Sequence, residues 1–145
     1  MQRKLIYISS VLSIFVLIIG CASKGLKSYE PKSPDEEAIV SVLSKFEKAR
    51  SSYDKEGCMA VLHDDAKLVY GPNSLPATKA EYIKVLPSLH PGWRFSKPSS
   101  IDVSGNTAEV KTVYRVSARG KYWYLPITIN LVKENNQWLI MSWIW

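Results

Sequence analysis

Cysteine is nearly absent. Two in 145 residues are too few for a disulfide framework, and no closely spaced pair is available for zinc or for redox exchange. Histidine is equally scarce, and the two residues, His63 and His90, have no metal-ligand spacing. Only seven glycines occur, none in a phosphate-cradling run, and no serine sits in a nucleophile elbow. A chain of this length excludes a multidomain enzyme or a large α/β barrel. Hydrophobic residues at 46% and charged residues at 22% exclude a disordered, collagen-like or multi-span membrane chain. One compact core is expected, with no metal and no cofactor.

The one long apolar run lies at the N-terminus. Arg3 and Lys4 precede an apolar stretch from Leu5 to Ile19, followed by Gly20 and Cys21. A charged head, an apolar run and a small residue before the cut are the three parts of an export signal. Ile18-Ile19-Gly20-Cys21 resembles the bacterial lipobox, which implies cleavage before Cys21 and diacylglycerol on its thiol. The alternative is an uncleaved anchor, since roughly 16 apolar-rich residues approach the 17–25 of a span. The expected organisation is a signal peptide at 1–20, a lipidated cysteine and flexible tether at 21–33, and a domain at 34–145. The first partner is then the membrane, through Cys21. Ala22, where retained lipoproteins carry Asp, implies the outer membrane facing the periplasm if the host has two membranes. Loss of Arg3 and Lys4 lowers the formal charge of +6 by two.

Residues 22–32 lack periodicity and are rich in Ser, Lys and Pro, as in a spacer. Lys24, Lys27 and Lys32 are placed either in solvent or on anionic headgroups. Ser33-Pro34-Asp35-Glu36 then combines an N-cap, a first-turn proline and a capping-box acid. Ile39, Val42, Leu43, Phe46, Ala49 and Tyr53 recur at helical spacing. A second helix is predicted from Asp54 through Leu62, a short strand over Ala66–Tyr70, and a third helix after the capping box Thr78–Glu81. Pro87 should end or distort that helix. From Trp93 the period becomes two. Arg94–Ser104, Thr107–Ala118, Lys121–Lys133 and Gln137–Trp145 read as four antiparallel strands separated by Gly105-Asn106, Arg119-Gly120 and Asn135-Asn136. The fold class is α+β, three N-terminal helices packed on a curved antiparallel sheet.

This order, with Asp64-Asp65-Ala66 at the helix-to-strand passage and an aromatic last strand, resembles the nuclear transport factor 2-like superfamily. The superfamily includes SnoaL-like polyketide cyclases and ketosteroid isomerases. The resemblance covers about residues 34–145 and implies a cone with a pocket between helices and concave sheet, often dimeric through the opposite face. In the isomerase branch a tyrosine, a carboxylate base and a protonated acid carry the chemistry. The positions matching them here are Phe46, Tyr70 and Thr128, so each group is lost and isomerase activity is not expected.

Other chemistry finds little support. His63-Asp64-Asp65 reads as a capped helix end on the surface. Cys58, beside Met59 in an apolar helix, reads as a buried inert thiol. Lys111, Arg115, Arg119 and Lys121, interleaved with Tyr114, Tyr122, Trp123 and Tyr124, have the mix of a nucleic-acid surface. An exported protein does not meet nucleic acid, so solvated strand faces, or contact with anionic lipid or glycan, account for them.

Trp123, Leu125, Ile127, Ile129 and Leu131 form one face of a strand, and Tyr122, Tyr124, Pro126, Thr128 and Asn130 the other. The resemblance implies that the second face points into the cone and that the apolar row lies outside as a homodimer face. The converse assignment makes that row core. Met141, Trp143 and Trp145 are expected inward with Phe46, Tyr70, Tyr82, Tyr124 and Thr128, lining a pocket for an apolar or aromatic small ligand or filling it themselves. The expected function is that of a non-catalytic ligand-binding or protein-interaction module. The alternative is a SnoaL-like hydrolase, cyclase or dehydratase, with Asp102 and Glu109 the nearest candidate acids.

Overall fold

Ser33 opens the first helix. In the computed structural model, which describes residues 25–69 and 73–144, its side chain accepts the Glu36 N–H at 3.2 Å. This satisfies one of the donors that a helix start leaves without a partner. Helix α1 runs Pro34–Ser51 and buries Ile39, Val42, Leu43, Phe46 and Ala49 of the expected stripe, while Tyr53 lies past the helix end at positive φ and is exposed. The capping box is only half made. The Glu36 carboxylate turns back to accept the Lys32 N–H at 2.8 Å and the Tyr29 hydroxyl at 3.0 Å.

Those contacts change the reading of the tether. Residues 25–32 lie against the domain: Leu26–Ser28 form a 3-10 turn, Leu26 is 3% exposed, and Gly25 makes an isolated bridge to Ser96. Leu26 is the lone large aliphatic of the segment, and its burial anchors what composition alone presents as spacer. Burying one such side chain contributes roughly 1.5–3 kcal/mol. Residues 1–24, with the signal run and Cys21, lie outside the described residues.

Asp54 caps α2 (Lys55–Val61) by accepting the Gly57 N–H at 2.9 Å. Strand β1 begins at once, Leu62–Leu68, so His63-Asp64-Asp65 belongs to a strand and not to a helix end. The short β2 (Ala77–Thr78) leads into α3 (Lys79–Val85), whose Thr78–Glu81 capping box is complete. At Pro87 the helix tightens into a 3-10 turn, Leu86–Ser88. The expected strand Arg94–Ser104 divides into β3 (Trp93–Phe95) and β4 (Ser100–Ser104), both paired with β5. Pro98 lies between them and has no N–H for the ladder. Strands β5 (Thr107–Ala118), β6 (Lys121–Glu134) and β7 (Gln137–Ile144) follow as a meander. Its turns place Gly105, Arg119, Gly120, Asn135 and Asn136 at positive φ, the geometry that two-residue hairpins need.

The sheet order is β2-β1-β7-β6-β5-β3, with β4 beside β5. Every described pairing is antiparallel except β1 with β7, which is parallel, so the sheet is mixed. Between Leu62 and Lys67 β1 advances five residues while β7 advances from Ile140 to Ser142, and the surplus around Asp64 leaves the ladder.

Sheet faces follow from register and burial. Val110 on β5, Ile129 on β6 and Ile140 on β7 are fully buried together with Ile39, Leu43 and Phe46 of α1. Ile127, Ile129 and Leu131 are therefore core, and the face assignment taken from the resemblance is reversed. Thr128 and Asn130 lie on the outer face, as alternation requires. A bulge modifies β7: Leu131 pairs with Ile140 but Asn130 with Ser142, leaving Met141 as the extra residue. Trp143 thereby keeps the inward phase of Trp138 and Ile140, and Met141 does not share it. Asp35 ties the start of α1 to this sheet, accepting from Lys133 Nζ at 2.8 Å and Trp138 Nε1 at 2.9 Å. The Lys133 ammonium, and after it the indole N–H, hold the Asp35 carboxyl below the usual carboxylate range. Among the described residues no helix is long and apolar enough to cross a membrane.

Candidate functional site

The inside of the cone is built from aromatic side chains of five elements. Phe46 on α1 lies 5.1 Å from Trp143 on β7, 5.8 Å from Trp93 on β3 and 6.1 Å from Tyr82 on α3, between ring centroids. Tyr82 meets Trp143 edge-on at 5.6 Å, and Trp93 stacks on Tyr114 of β5 at 5.2 Å. Such pairs add about 0.5–1.5 kcal/mol each beyond burial. The Trp143 indole N–H donates to the Val69 carbonyl. Helical spacing carries Phe46 inward, the capping box orients α3 so that Tyr82 faces it, and the β7 bulge brings Trp143 to the same point.

Arg50 is the charged group of this interior. It is 4% exposed, its Nε donates to the Tyr82 hydroxyl at 3.0 Å and Nη1 to the His90 carbonyl at 2.7 Å, and the guanidinium lies over the Trp93 ring. Among the described residues it has no carboxylate partner within ion-pair distance. A weakly hydrated, delocalised cation tolerates this position because an aromatic face and two oxygen acceptors replace water. Burial raises the Tyr82 hydroxyl well above its ordinary pKa, against the opposing pull of Arg50, so it stays protonated. Among the described residues the buried Trp93 indole nitrogen has no hydrogen-bond partner.

The surface of the described residues carries open cavities, two of which are lined by charged side chains. One, about 760 Å³, runs along the exposed side of α1 between the 25–27 segment and Arg94 of β3. Glu47 is its one lining carboxylate and accepts the Phe95 N–H at 2.6 Å. Burial raises the Glu47 carboxyl, while that N–H, Arg94, Arg115 and Lys27 oppose the rise. The other, about 390 Å³, sits where Lys97 and Ser99 meet the outer sheet face at Lys111, Pro126 and Thr128. At the far end of the β5–β6 hairpin, Tyr122 and Tyr124 project from the outer face and Trp123 from the inner, each more than half exposed. Arg115 lies over the Tyr122 ring at 5.8 Å.

No protein-family profile matches the chain, and no curated protein matches it in sequence. Solved structures do match in shape. A protein of unknown function from Shewanella oneidensis, described as NTF2-like, is 16% identical, with a TM-score of 0.63 over 75% of this chain and 96% of its own. A second, from Shewanella baltica, is 21% identical, with a TM-score of 0.61 over 79% and 94%. The fold is nuclear transport factor 2-like. A third match, from Novosphingobium aromaticivorans, provisionally named a scytalone dehydratase, is 22% identical, with a TM-score of 0.61 over 75% and 80%.

Within this nuclear transport factor 2-like cone the expected pocket residues separate. Phe46, Tyr82 and Trp143 come together; Tyr124 and Thr128 sit on the opposite sheet face, and Met141 is at the bulge. Tyr70 and Trp145 lie outside the described residues. Of the expected dimer face, Ile127, Ile129 and Leu131 are core, Leu125 is half-buried, and Trp123 alone is exposed. Asp102 and Glu109 pair across β4 and β5 in the outward phase, level with Asn130, away from the cone. His63 accepts the Asp65 N–H and meets Glu134 at 2.9 Å, while Asp64 pairs with Lys79. Among the described residues no three metal-binding side chains converge.

Arg50 is absent from the residues singled out in the sequence, although it follows Phe46 by four and Leu43 by seven. That spacing is the signal that could have found it. Trp93 was read as the margin of a strand, and nothing local marks it as the floor of the interior.

Proposed function

We propose that the protein is an envelope lipoprotein, held by acyl chains on Cys21, whose domain is a non-catalytic interaction module. In a two-membrane host it would sit on the outer membrane and face the periplasm. The observation that carries the reading is the filled cone: where a substrate would lie, Phe46, Tyr82, Trp93 and Trp143 pack on one another, and the polar group among them is a cation already engaged. Interaction therefore falls to the exterior. Tyr122, Tyr124, Pro126 and Ile144 expose apolar surface on the outer sheet face, and a second copy of the chain is the partner that face suits. Paired sheets of this kind bury rows of side chains without needing new backbone hydrogen bonds.

The test is mass spectrometry of the protein purified from its own host, first denatured and then native. The expected result is a chain beginning at an acylated Cys21, running natively as a dimer with no small molecule retained. A chain without acyl mass overturns the anchor, a monomer overturns the pairing, and a stoichiometric metabolite overturns the filled-cone reading.

The structural neighbour named as a dehydratase favours a second reading, catalysis inside the cone. It requires the aromatic cluster to open and an acid to enter, and a retained metabolite in the same experiment would support it.

A further inference from the structure

The groove beside α1 begins at Gly25 and Leu26, the first described residues of the chain. Gly25, at its rim, is held by the bridge to Ser96, and Leu26 is buried, so the described chain is already fixed on the domain at this point. Cys21 is four residues upstream. Four residues span at most roughly 14 Å when fully extended. Acyl chains on that cysteine therefore bring the rim of the groove to within reach of the lipid headgroups, with no room for a long spacer.

The lining has the chemistry for that surface. Lys27, Lys45, Lys48 and Arg94 surround the groove, and hydroxyls of Ser41 and Ser44 lie between them. The three lysines are exposed, and among the described residues none is in an ion pair. Glu47 is the single acid, and its carboxylate is taken up by the Phe95 N–H at the groove wall. The acyl chains on Cys21 hold the protein at the surface, and a cluster of cations beside them adds attraction to anionic headgroups and fixes which face of the domain meets the leaflet.

We infer that this groove seats anionic phospholipid headgroups of the leaflet that holds the Cys21 acyl chains. The domain then lies with α1 and the β3 edge against the membrane and carries the β1–β2 edge away from it. This inference rests on the lipid-anchor reading above, and its test separates the two.

The full acylated protein is placed in vesicles of phosphatidylcholine alone or with phosphatidylglycerol added, and lysine acetylation is followed residue by residue. On the anionic vesicles, acetylation of Lys27, Lys45 and Lys48 should slow by about five-fold or more, the effect of even one cation's attraction to such a surface. Lys67 and Lys84, on β1 and α3 at the opposite edge of the sheet, should react equally on both. High salt should remove the difference. A K45E/K48E double variant changes two exposed positions, so it should fold, stay anchored and lose the protection at Lys27. Equal acetylation on both vesicles, with the acyl mass present, overturns the groove and leaves the anchor standing. A protein that lacks acyl mass and floats with neither vesicle overturns the anchor, and the groove proposal falls with it.

Discussion

The guanidinium of Arg50 lies 4.6 Å from the centroid of the Trp93 ring, at the centre of the cone. This pair, with Tyr82 and the His90 carbonyl, makes a helix, a strand and a loop share one buried charge. Arg50→Ala should cost about 2–4 kcal/mol, since it leaves the buried Tyr82 hydroxyl and the part-buried His90 carbonyl without their donor and opens a cavity. Arg50→Lys keeps the charge, cannot span both acceptors, and should lose roughly half as much. Urea titration followed by tryptophan fluorescence measures both; equal midpoints for all three proteins would show that the pair is energetically neutral.

Ile127 and Ile144 separate the two faces of the sheet. Ile127→Lys puts an ammonium into the core and should destabilise the domain by more than about 3 kcal/mol, giving an insoluble or unfolded product. Ile144→Lys changes an outer-face residue that is 53% exposed and should alter stability by less than about 0.5 kcal/mol. If the outer face pairs, the second variant is a folded monomer by light scattering. A folded monomer from Ile127→Lys instead would restore the apolar row as the interface.

That reversal shows what was readable in the chain and what was not. Alternation along Lys121–Lys133 separates two faces correctly, but periodicity carries no sign: it does not say which face meets the helices. Apolarity of the Ile127-Ile129-Leu131 row favours core by itself, and the resemblance overruled it. The helix stripe, the Thr78–Glu81 box and all three hairpin turns were legible because each depends on residues within a few positions. The β7 bulge, the parallel β1–β7 pair and the docking of Leu26 were not, since each is decided by a partner far away in sequence.

Cys58 is fully buried, and burial pushes its thiol up to about 11 from an unperturbed 9.0. The native protein should resist iodoacetamide at pH 8 and react only after denaturant is added. Because the folded value is the higher one, its contribution to stability is complete below pH 9 and is lost as pH rises toward 11. Cys58→Ala should flatten that alkaline limb; an unchanged slope would assign it to other groups.

Gly57 looks replaceable, since alanine is the better helix former. A Cβ there would stand 2.9 Å from the Ala49 Cβ and collide with the Asp54 carboxylate that caps α2. Gly57→Ala should therefore destabilise by about 1–3 kcal/mol in thermal or urea unfolding. A gain in stability would mean that α2 shifts freely against α1.

Strand β7, last in chain order among the described strands, occupies the middle of the sheet between β1 and β6. A nascent chain holds β1 long before the strand that joins it to β6 exists. Both present open edges until about residue 144 is released, so a product cut short there does not fray at a margin but separates into two exposed half-sheets. Cooperative folding is thereby postponed until β7 is released. A prematurely ended chain is marked for holdases and proteases by its unpaired strands.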